Sequence, residues 1–439
     1  MFKDTPVVRE QIKKCVRCGK CRSVCPIFNE YRTENYSPRG QVFMVQMLRD
    51  GVLSVSNKVA AKLGDCLMCE SCSSICPSAI PVPELVAEAR AFITEQRPST
   101  SKKLIFEKLW TSPGLLRNSV AAAGLADSLG LRSLARSLGL TSILPGDLPR
   151  AEKILGKIPR RSARSQLAAV MPARGTRKTR VAYFLGCGTD LLQPEIALAT
   201  VEVLTHCGCE VIIPQDIRCC GVPHLANGAK TVAEKLVIHN LNILSKLGVD
   251  AIISDCASCT STLNGHLYRP ATVIDKLKNS SNSAPTLAEK TIEAANWLKG
   301  KVFDLTVFLV DELGLPTEIG RLMNSVVVTY HDPCHLVKAQ KIKNQPRKIL
   351  QSIPGVDFQE MVGADTCCGG SGTFGLTHYD LSMKILKRKI ESIQNSGAEI
   401  LATSCPSCTT QISYGLREAG LNIKVIHPVQ LLQKALIQH

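Results

Sequence analysis

Twenty cysteines in 439 residues are the side chains most able to do chemistry, and their spacing says which kind. Eight form two runs: Cys15-x-x-Cys18-x-x-Cys21-x-x-x-Cys25-Pro26 and Cys66-x-x-Cys69-x-x-Cys72-x-x-x-Cys76-Pro77. Three cysteines at spacing three wrap a loop around one cubane, and the fourth, before proline, reaches the other cluster of a two-cluster ferredoxin. One [4Fe-4S] cluster is therefore expected on Cys15, Cys18, Cys21 and Cys76, the other on Cys66, Cys69, Cys72 and Cys25. Structural zinc usually takes two Cys-x-x-Cys pairs and does not account for two runs of four with proline.

Ten further cysteines form an internal repeat. The first copy has Cys187, Cys219-Cys220-Gly221 and Cys256-x-x-Cys259; the second has Cys334, Cys367-Cys368-Gly369 and Cys405-x-x-Cys408. The intervening stretches are 31 and 35 residues in one copy and 32 and 36 in the other, a match that chance does not give. Five converging thiols exceed the needs of tetrahedral zinc, and a soft, thiolate-rich site favours iron–sulfur or zinc. A five-cysteine iron–sulfur assembly, four-cysteine zinc with a spare thiol, and dithiol–disulfide exchange at the vicinal pair all stay open. Cys207 and Cys209 have no counterpart in the second copy and read as ordinary buried small residues. His331, His335 and His378 flank the second copy's motifs. A packing or hydrogen-bonding role is expected for each, with a supporting or proton-handling role beside a metal as the alternative.

The elements that must position these thiols follow from hydrophobic patterning. Val181–Leu185 and Val326–Tyr330 read as buried strands running into the single cysteine of each copy. A helix over Glu195–Cys207 and a strand over Glu210–Pro214 follow in the first copy. Helices over about 226–247 and 376–395 lead to strands Ala251–Ser254 and Ile400–Thr403, each ending at Cys-x-x-Cys. This β-α-β-α-β order predicts a small parallel sheet per copy, with every cysteine beyond a strand's carboxyl end, where open α/β sheets gather ligands. The front region reads as mostly α, with Gly40–Leu48 helical. The expected architecture is thus multidomain α and α/β: a two-cluster ferredoxin-type domain over 1–98, a helical and basic linker region over 99–178, and two Cys-Cys-Gly domains over 179–320 and 321–439.

Charge and composition narrow the partners. The formal charge is +16, but ten Lys or Arg residues against one acid between Arg150 and Arg180 supply more than half of it. That segment reads as a solvated interdomain linker, the alternative being a docking stretch for an acidic partner or anionic lipid. Leu115–Leu140, with Arg117, Arg132 and Arg136, reads as a core-facing amphipathic helix, the alternative being an interfacial one. Aromatics at 4 % are too sparse for base-stacking platforms, so nucleic acid is not an expected partner. The start, MFKDTPVVREQIKKC, shows no signal-peptide pattern, and no uncharged apolar run approaches the length of a membrane span. The expected location is the cytoplasm, with peripheral attachment to the inner face of the cell membrane as the alternative.

Taken together, the motifs resemble the iron–sulfur subunit of glycolate oxidase, and its relatives in lactate utilisation, the D-type subunit of heterodisulfide reductase and the C-type subunit of anaerobic glycerol-3-phosphate dehydrogenase. Besides the cysteines, Ser37-Pro38-Arg39-Gly40, Asp332-Pro333-Cys334-His335 and the stretch from Cys367 to His378 carry the resemblance. It implies an electron-transfer subunit that takes electrons from a separate FAD-containing 2-hydroxyacid dehydrogenase, acting on glycolate or lactate, and passes them towards quinone or another carrier. Carbon chemistry would lie in the partner; no G-x-G-x-x-G follows a strand here, so neither flavin nor NAD is expected on this chain. The glycolate oxidase subunit tends to carry a degenerate Cys-Cys-Gly pattern, whereas both copies here are complete, as in heterodisulfide reductase. A subunit reducing a disulfide at a Cys-Cys-Gly cluster, and a zinc-binding scaffold tethering a dehydrogenase to the membrane, are the competing readings.

Overall fold

The computed structural model describes residues 2, 5, 7–143, 147–265, 285–316 and 318–437. The front region is helical. The helices Pro38–Arg49, Asn57–Gly64 and Val82–Gln96 pack through Val42, Val45, Leu63, Leu85 and Val86, and hold the cysteine runs on their rim. Both runs use the same backbone device: Arg17 and Gly19 in one, Met68 and Glu70 in the other, all in the left-handed region. Cys25 caps the helix Pro26–Tyr31, its sulfur accepting from the Phe28 amide at 3.4 Å, and Pro26 occupies the first helical position, where no amide is needed. The Ser37-Pro38-Arg39-Gly40 stretch has a mechanical purpose. Ser37 Oγ caps the helix by accepting from the Gly40 amide at 2.9 Å. A Cβ on residue 40 would lie 2.1 Å from the Glu34 carbonyl oxygen, so only glycine fits. Arg39, paired with Glu34, donates to the Arg17 carbonyl at 2.7 Å and clamps the first cysteine loop.

Behind the front region stand two sheets. The first comprises β1 (Val170–Met171), β2 (Thr179–Tyr183), β3 (Cys209–Ile212), β4 (Ala251–Ser254) and β5 (Val302–Asp304) in the order β1-β3-β2-β4-β5. The second comprises β6 (Val326–Tyr330), β7 (Val356–Phe358), β8 (Ile400–Ala402) and β9 (Lys424–Ile426) in the order β7-β6-β8-β9. All pairings are parallel except β1 on β3. The equivalent strands β2 and β6 each sit centrally, with burial on both faces towards their ends, as a parallel sheet covered by helices requires. Helix Pro194–His206 of the first copy packs against the terminal helix Pro428–Ile437 of the second, and one core runs through both sheets from Val181 and Tyr183 to Val328 and Leu432.

The expected parallel sheet is present in both copies, extended by β5 and β9 and, in the first, by the antiparallel edge strand β1. The helix expected over about 226–247 is Lys230–Leu244, preceded by the short helix Val222–Ala226, and the one expected over 376–395 is split into Phe374–Thr377 and Tyr379–Asn395.

For the linker, one expectation is qualified and one is overturned. Most basic side chains of 150–180 are solvent-exposed, but the segment is anchored rather than loose: Ala163 and Arg164 are buried, and Arg164 pairs with Asp190. Arg150 reaches Asp380 of the second repeat at 2.6 Å, and Arg174 and Arg180 reach Glu202 and Glu210, each at 2.7 Å. Leu115–Leu140 forms two helices, Pro113–Ser128 and Leu131–Ser137, broken at the left-handed Gly130, and its leucines do not face a core. Leu129 and Leu138 are 65 % and 63 % exposed, and Leu115, Leu125, Leu131 and Leu134 are exposed with them. Among the described residues no helix is long and apolar enough to cross a membrane.

Candidate metal centres

The eight front cysteines gather into two small cavities. Cys15, Cys18, Cys21 and Cys76 line one beneath Arg39; Cys25, Cys66, Cys69 and Cys72 line the other. Each group takes three thiols from one run and the pre-proline thiol from the other. Burial pushes the Cys25 thiol up to about 12 and Cys66 to about 11, so binding a metal there must displace protons.

In the repeats, every cysteine of the two patterns lies beyond a strand's carboxyl end. Cys187 opens the helix Cys187–Leu192 after β2, Cys256 caps Ala257–Leu263 after β4, and Cys405 caps Pro406–Glu418 after β8. The Cys-Cys-Gly turns are built alike. Gly221 and Gly369 have φ of +98° and +81°, and their amides face the sulfurs of Cys219 and Cys367 at 3.5 and 3.4 Å. A Cβ at 369 would stand 2.7 Å from the Ser382 carbonyl oxygen.

All of this converges on one place. All the cysteines of the two patterns except Cys219 line a single cavity of about 230 Å³, where Cys256 of one copy faces Cys405 of the other. The Cys187 and Cys219 sulfurs are 3.9 Å apart. Cys220, Cys368 and Cys405 are each held well below the ordinary thiol value because each accepts hydrogen bonds from two neighbouring thiols. These are the sites readiest to be thiolates, the form that binds metal. Two thiolate-rich walls in a buried cavity fit a soft metal centre.

The front region docks onto this cavity. His335 is engaged at both ring nitrogens: Nδ1 lies 2.8 Å from Ser258 Oγ of the first repeat, and Nε2 lies 3.0 Å from the Met68 carbonyl of the front region. Ser371 Oγ donates to the Leu67 carbonyl at 2.6 Å, and the Cys69 and Cys367 thiols pack against each other. His335 therefore has the expected hydrogen-bonding role. His378 has one too: it stacks on Phe374 and bonds Thr377 at 2.8 Å, with Asp65 at 3.6 Å. Burial pushes it down to about 4, so the ring is neutral at physiological pH. Among the described residues no well-formed hydrogen bond reaches the His331 ring. Cys207 and Cys209 are buried in the core, Cys209 at the start of β3, the end of the strand opposite the cavity.

Several residues of the site carry no motif. Trp110 of the linker lines the cavity beside Cys187, and Ile154 and Leu155 close part of the cavity wall. Arg90, fully buried, donates to the carbonyls of Leu63, Gly64 and Cys66 at 2.6–2.9 Å and to Ala226 at 2.8 Å, fixing the second front loop against the first repeat. Lys389 is buried behind Cys367 and Cys368, donating to the Gly363 carbonyl at 2.6 Å. None belongs to a motif, and their burial is not visible in the sequence.

Comparison with known proteins agrees with this layout. Residues 11–80 match a 4Fe-4S dicluster domain, 181–264 and 328–413 a cysteine-rich domain, and 97–155 the linker region of the glycolate oxidase iron–sulfur subunit. The probable glycolate oxidase iron–sulfur subunit of Bacillus subtilis is 31 % identical over 97 % of this chain and 94 % of its own length. The chain belongs to the glycolate oxidase iron–sulfur subunit family. Other relatives of this family member are one of the subunits of the fumarate reductase (CoM/CoB) of Methanothermobacter marburgensis and lactate utilization protein A of an Exiguobacterium species. The first is 27 % identical over 97 % of the chain and 73 % of its own length; the second is 30 % identical over 59 % and 98 %. As a glycolate oxidase-type iron–sulfur subunit, the chain carries iron–sulfur clusters and has an oxidoreductase role.

Proposed function

We propose that this chain is the electron relay of a flavin-dependent 2-hydroxyacid dehydrogenase, with glycolate or lactate oxidised on a separate FAD-containing subunit. Two [4Fe-4S] clusters would be held by Cys15, Cys18, Cys21 and Cys76, and by Cys66, Cys69, Cys72 and Cys25, with further iron–sulfur or zinc at the two Cys-Cys-Gly sets. When bound, these groups supply one-electron steps at potentials set by charge, hydrogen bonding and burial. The chain's own residues set the order of the sites. The observation that carries the reading is the contact between Cys69 and Cys367, locked on either side by His335 to Met68 and Ser371 to Leu67. It joins the second front group to the Cys-Cys-Gly cavity, which is what a relay through both regions needs. The exposed leucines of Pro113–Ser128 and Leu131–Ser137, beside the basic residues Lys153, Lys157 and Arg160, suit peripheral attachment to an anionic membrane where quinone is found.

The test is anaerobic mixing of the loaded chain with its dehydrogenase subunit and a 2-hydroxy acid, followed by electron paramagnetic resonance. Reduced-cluster signals should grow as substrate is consumed. Clusters that stay oxidised while the flavin is fully reduced would sink the relay.

A second reading has an observation of its own. Both Cys-Cys-Gly sets are complete and face one cavity with apolar walls, a place where a disulfide could be reduced, as in heterodisulfide reductase. A cavity signal perturbed by added disulfide would favour it. Metal analysis tests the zinc scaffold, which predicts zinc with only about eight irons, from two cubanes; iron beyond eight rules out zinc in both repeats.

A further inference from the structure

The two repeats are alike in their cysteines but not in the ring that stands three residues before the single cysteine. The first copy has Phe184 and the second His331, at equivalent positions at the end of β2 and β6. Phe184 is fully buried among apolar side chains, so an apolar ring is well accommodated there. His331 is equally buried, at 1 % exposure, yet among the described residues no well-formed hydrogen bond reaches either ring nitrogen, the Ala364 backbone being in range of one of them only. Buried polar groups without partners are rare, because their lost hydration is not replaced. The neighbouring acid is not available to it: both carboxylate oxygens of Asp332 are taken by Arg347, each at 2.8 Å. What the imidazole does face is sulfur. A ring nitrogen of His331 and the sulfurs of Cys368 and Cys408 all lie within 4.8 Å of one another. Zinc–nitrogen and zinc–sulfur bonds of about 2.0–2.3 Å put tetrahedral ligand atoms roughly 3.6–3.8 Å apart, so a closure of about an ångström seats all three on one ion.

We infer that His331 is a nitrogen ligand of the second Cys-Cys-Gly centre, making it a mixed histidine–cysteine site; the buried histidine near the first centre, His224, is instead packed edge-on against Phe106 and Trp110, which leaves that centre to its thiols. Cys405, the partner of Cys408 in the same Cys-x-x-Cys pair, is the thiol we assign as the fourth ligand. The metal class is a borderline-soft first-row ion, zinc or the iron of a cluster, since both accept imidazole together with thiolate. This leaves the free thiols of Cys334 and Cys367, next to each other, on the side that meets Cys69. The repeats would then hold two chemically distinct centres across one cavity. The assignment does not depend on electrons passing through the site.

The test uses the full chain isolated anaerobically, with X-ray absorption at the zinc and iron edges and pulsed electron paramagnetic resonance on protein carrying 15N-labelled histidine. The expected result is a nitrogen scatterer, at about 2.0–2.1 Å if the metal is zinc, or a histidine nitrogen coupling if it is iron. Either signal should vanish in His331→Phe, the residue type of the first copy, with the signals of the two front clusters unchanged. His331→Cys should restore full metal content with an all-sulfur shell. An all-sulfur shell in the unsubstituted protein, a second site without metal, or a nitrogen signal that survives His331→Phe would each overturn the inference. Because the first of these is read on the unsubstituted protein, the test stands even where a variant fails to fold.

Discussion

At the scale of single residues, the cysteine spacing was legible because cluster loops are local: three thiols at spacing three close on one point within one turn of chain. The exchange of the fourth thiol between runs is the part a sequence shows only through the pre-proline rule, and it has a sharp consequence. Cys76→Ser should abolish the cluster of Cys15, Cys18 and Cys21 while leaving that of Cys66, Cys69 and Cys72, as the grouping of the cavities requires. Selective loss of the second cluster, read by Mössbauer and paramagnetic resonance, would refute the exchange; Cys207→Ser serves as the silent control. Lys389 was not legible, since one lysine on a long helix looks like any other until its burial is known. Burial pushes its ammonium down to about 8, so it remains mostly charged at pH 7. A cation beside Cys367 and Cys368 favours the more negative, reduced state of a loaded site. At an effective dielectric near 20 and a separation of about 8–10 Å, the interaction is about 2 kcal/mol, or roughly 80 mV for one electron. Lys389→Gln should lower the second site's midpoint potential by that order. In the unsubstituted protein the potential should fall as pH rises through about 8, where the ammonium loses its proton. A pH-independent potential unchanged by the substitution would show that the charge is not felt.

At the scale of elements, β6 was read to the residue, and β4 with it, because fully buried parallel strands are continuous apolar runs ending at a cysteine. β1 was missed: two residues leave no periodicity to see, and Val170 pairs with β3 only after the chain has folded back. The leucine stretch before it failed for a different reason. Apolar residues at helical spacing predict a face, not what covers it, and here the face is open. Replacing Leu129, Leu134 and Leu138 together by serine should leave stability within about 0.5 kcal/mol per site, as surface positions do. The same variant should lose most of the protein's flotation with vesicles rich in phosphatidylserine. Equal flotation of both proteins, or none in the unsubstituted one, would remove the membrane from the proposed function and leave the face to a protein partner.

At the scale of the whole molecule, nothing in the sequence could show how the front region sits on the repeats, because the contacts join residues more than a hundred positions apart and use ordinary polar side chains. His335 and Ser371 meet carbonyls of the second front loop, Arg90 spans from that loop to Ala226, and beside it Lys230 and Glu88 form a buried ion pair between the two regions. Such a pair adds little net stability over an apolar equivalent, but losing one partner strands a buried charge. Lys230→Met should therefore cost about 3–5 kcal/mol of stability, and so should Glu88→Leu. The double substitution should recover most of that loss, so the two effects should be strongly non-additive in denaturant titrations of the metal-loaded chain. The same cycle separates packing from conduction. In the double variant the Cys69–Cys367 contact keeps its other supports, so the relay reading expects cluster reduction by substrate at close to the original rate. If stability returns but reduction slows by tenfold or more, the rigid seating of the two regions on each other, and not their contact alone, sets the rate of transfer. If the single losses simply add, the pair does not couple the regions, and Arg90 is left as the residue that ties the second front loop to the first repeat.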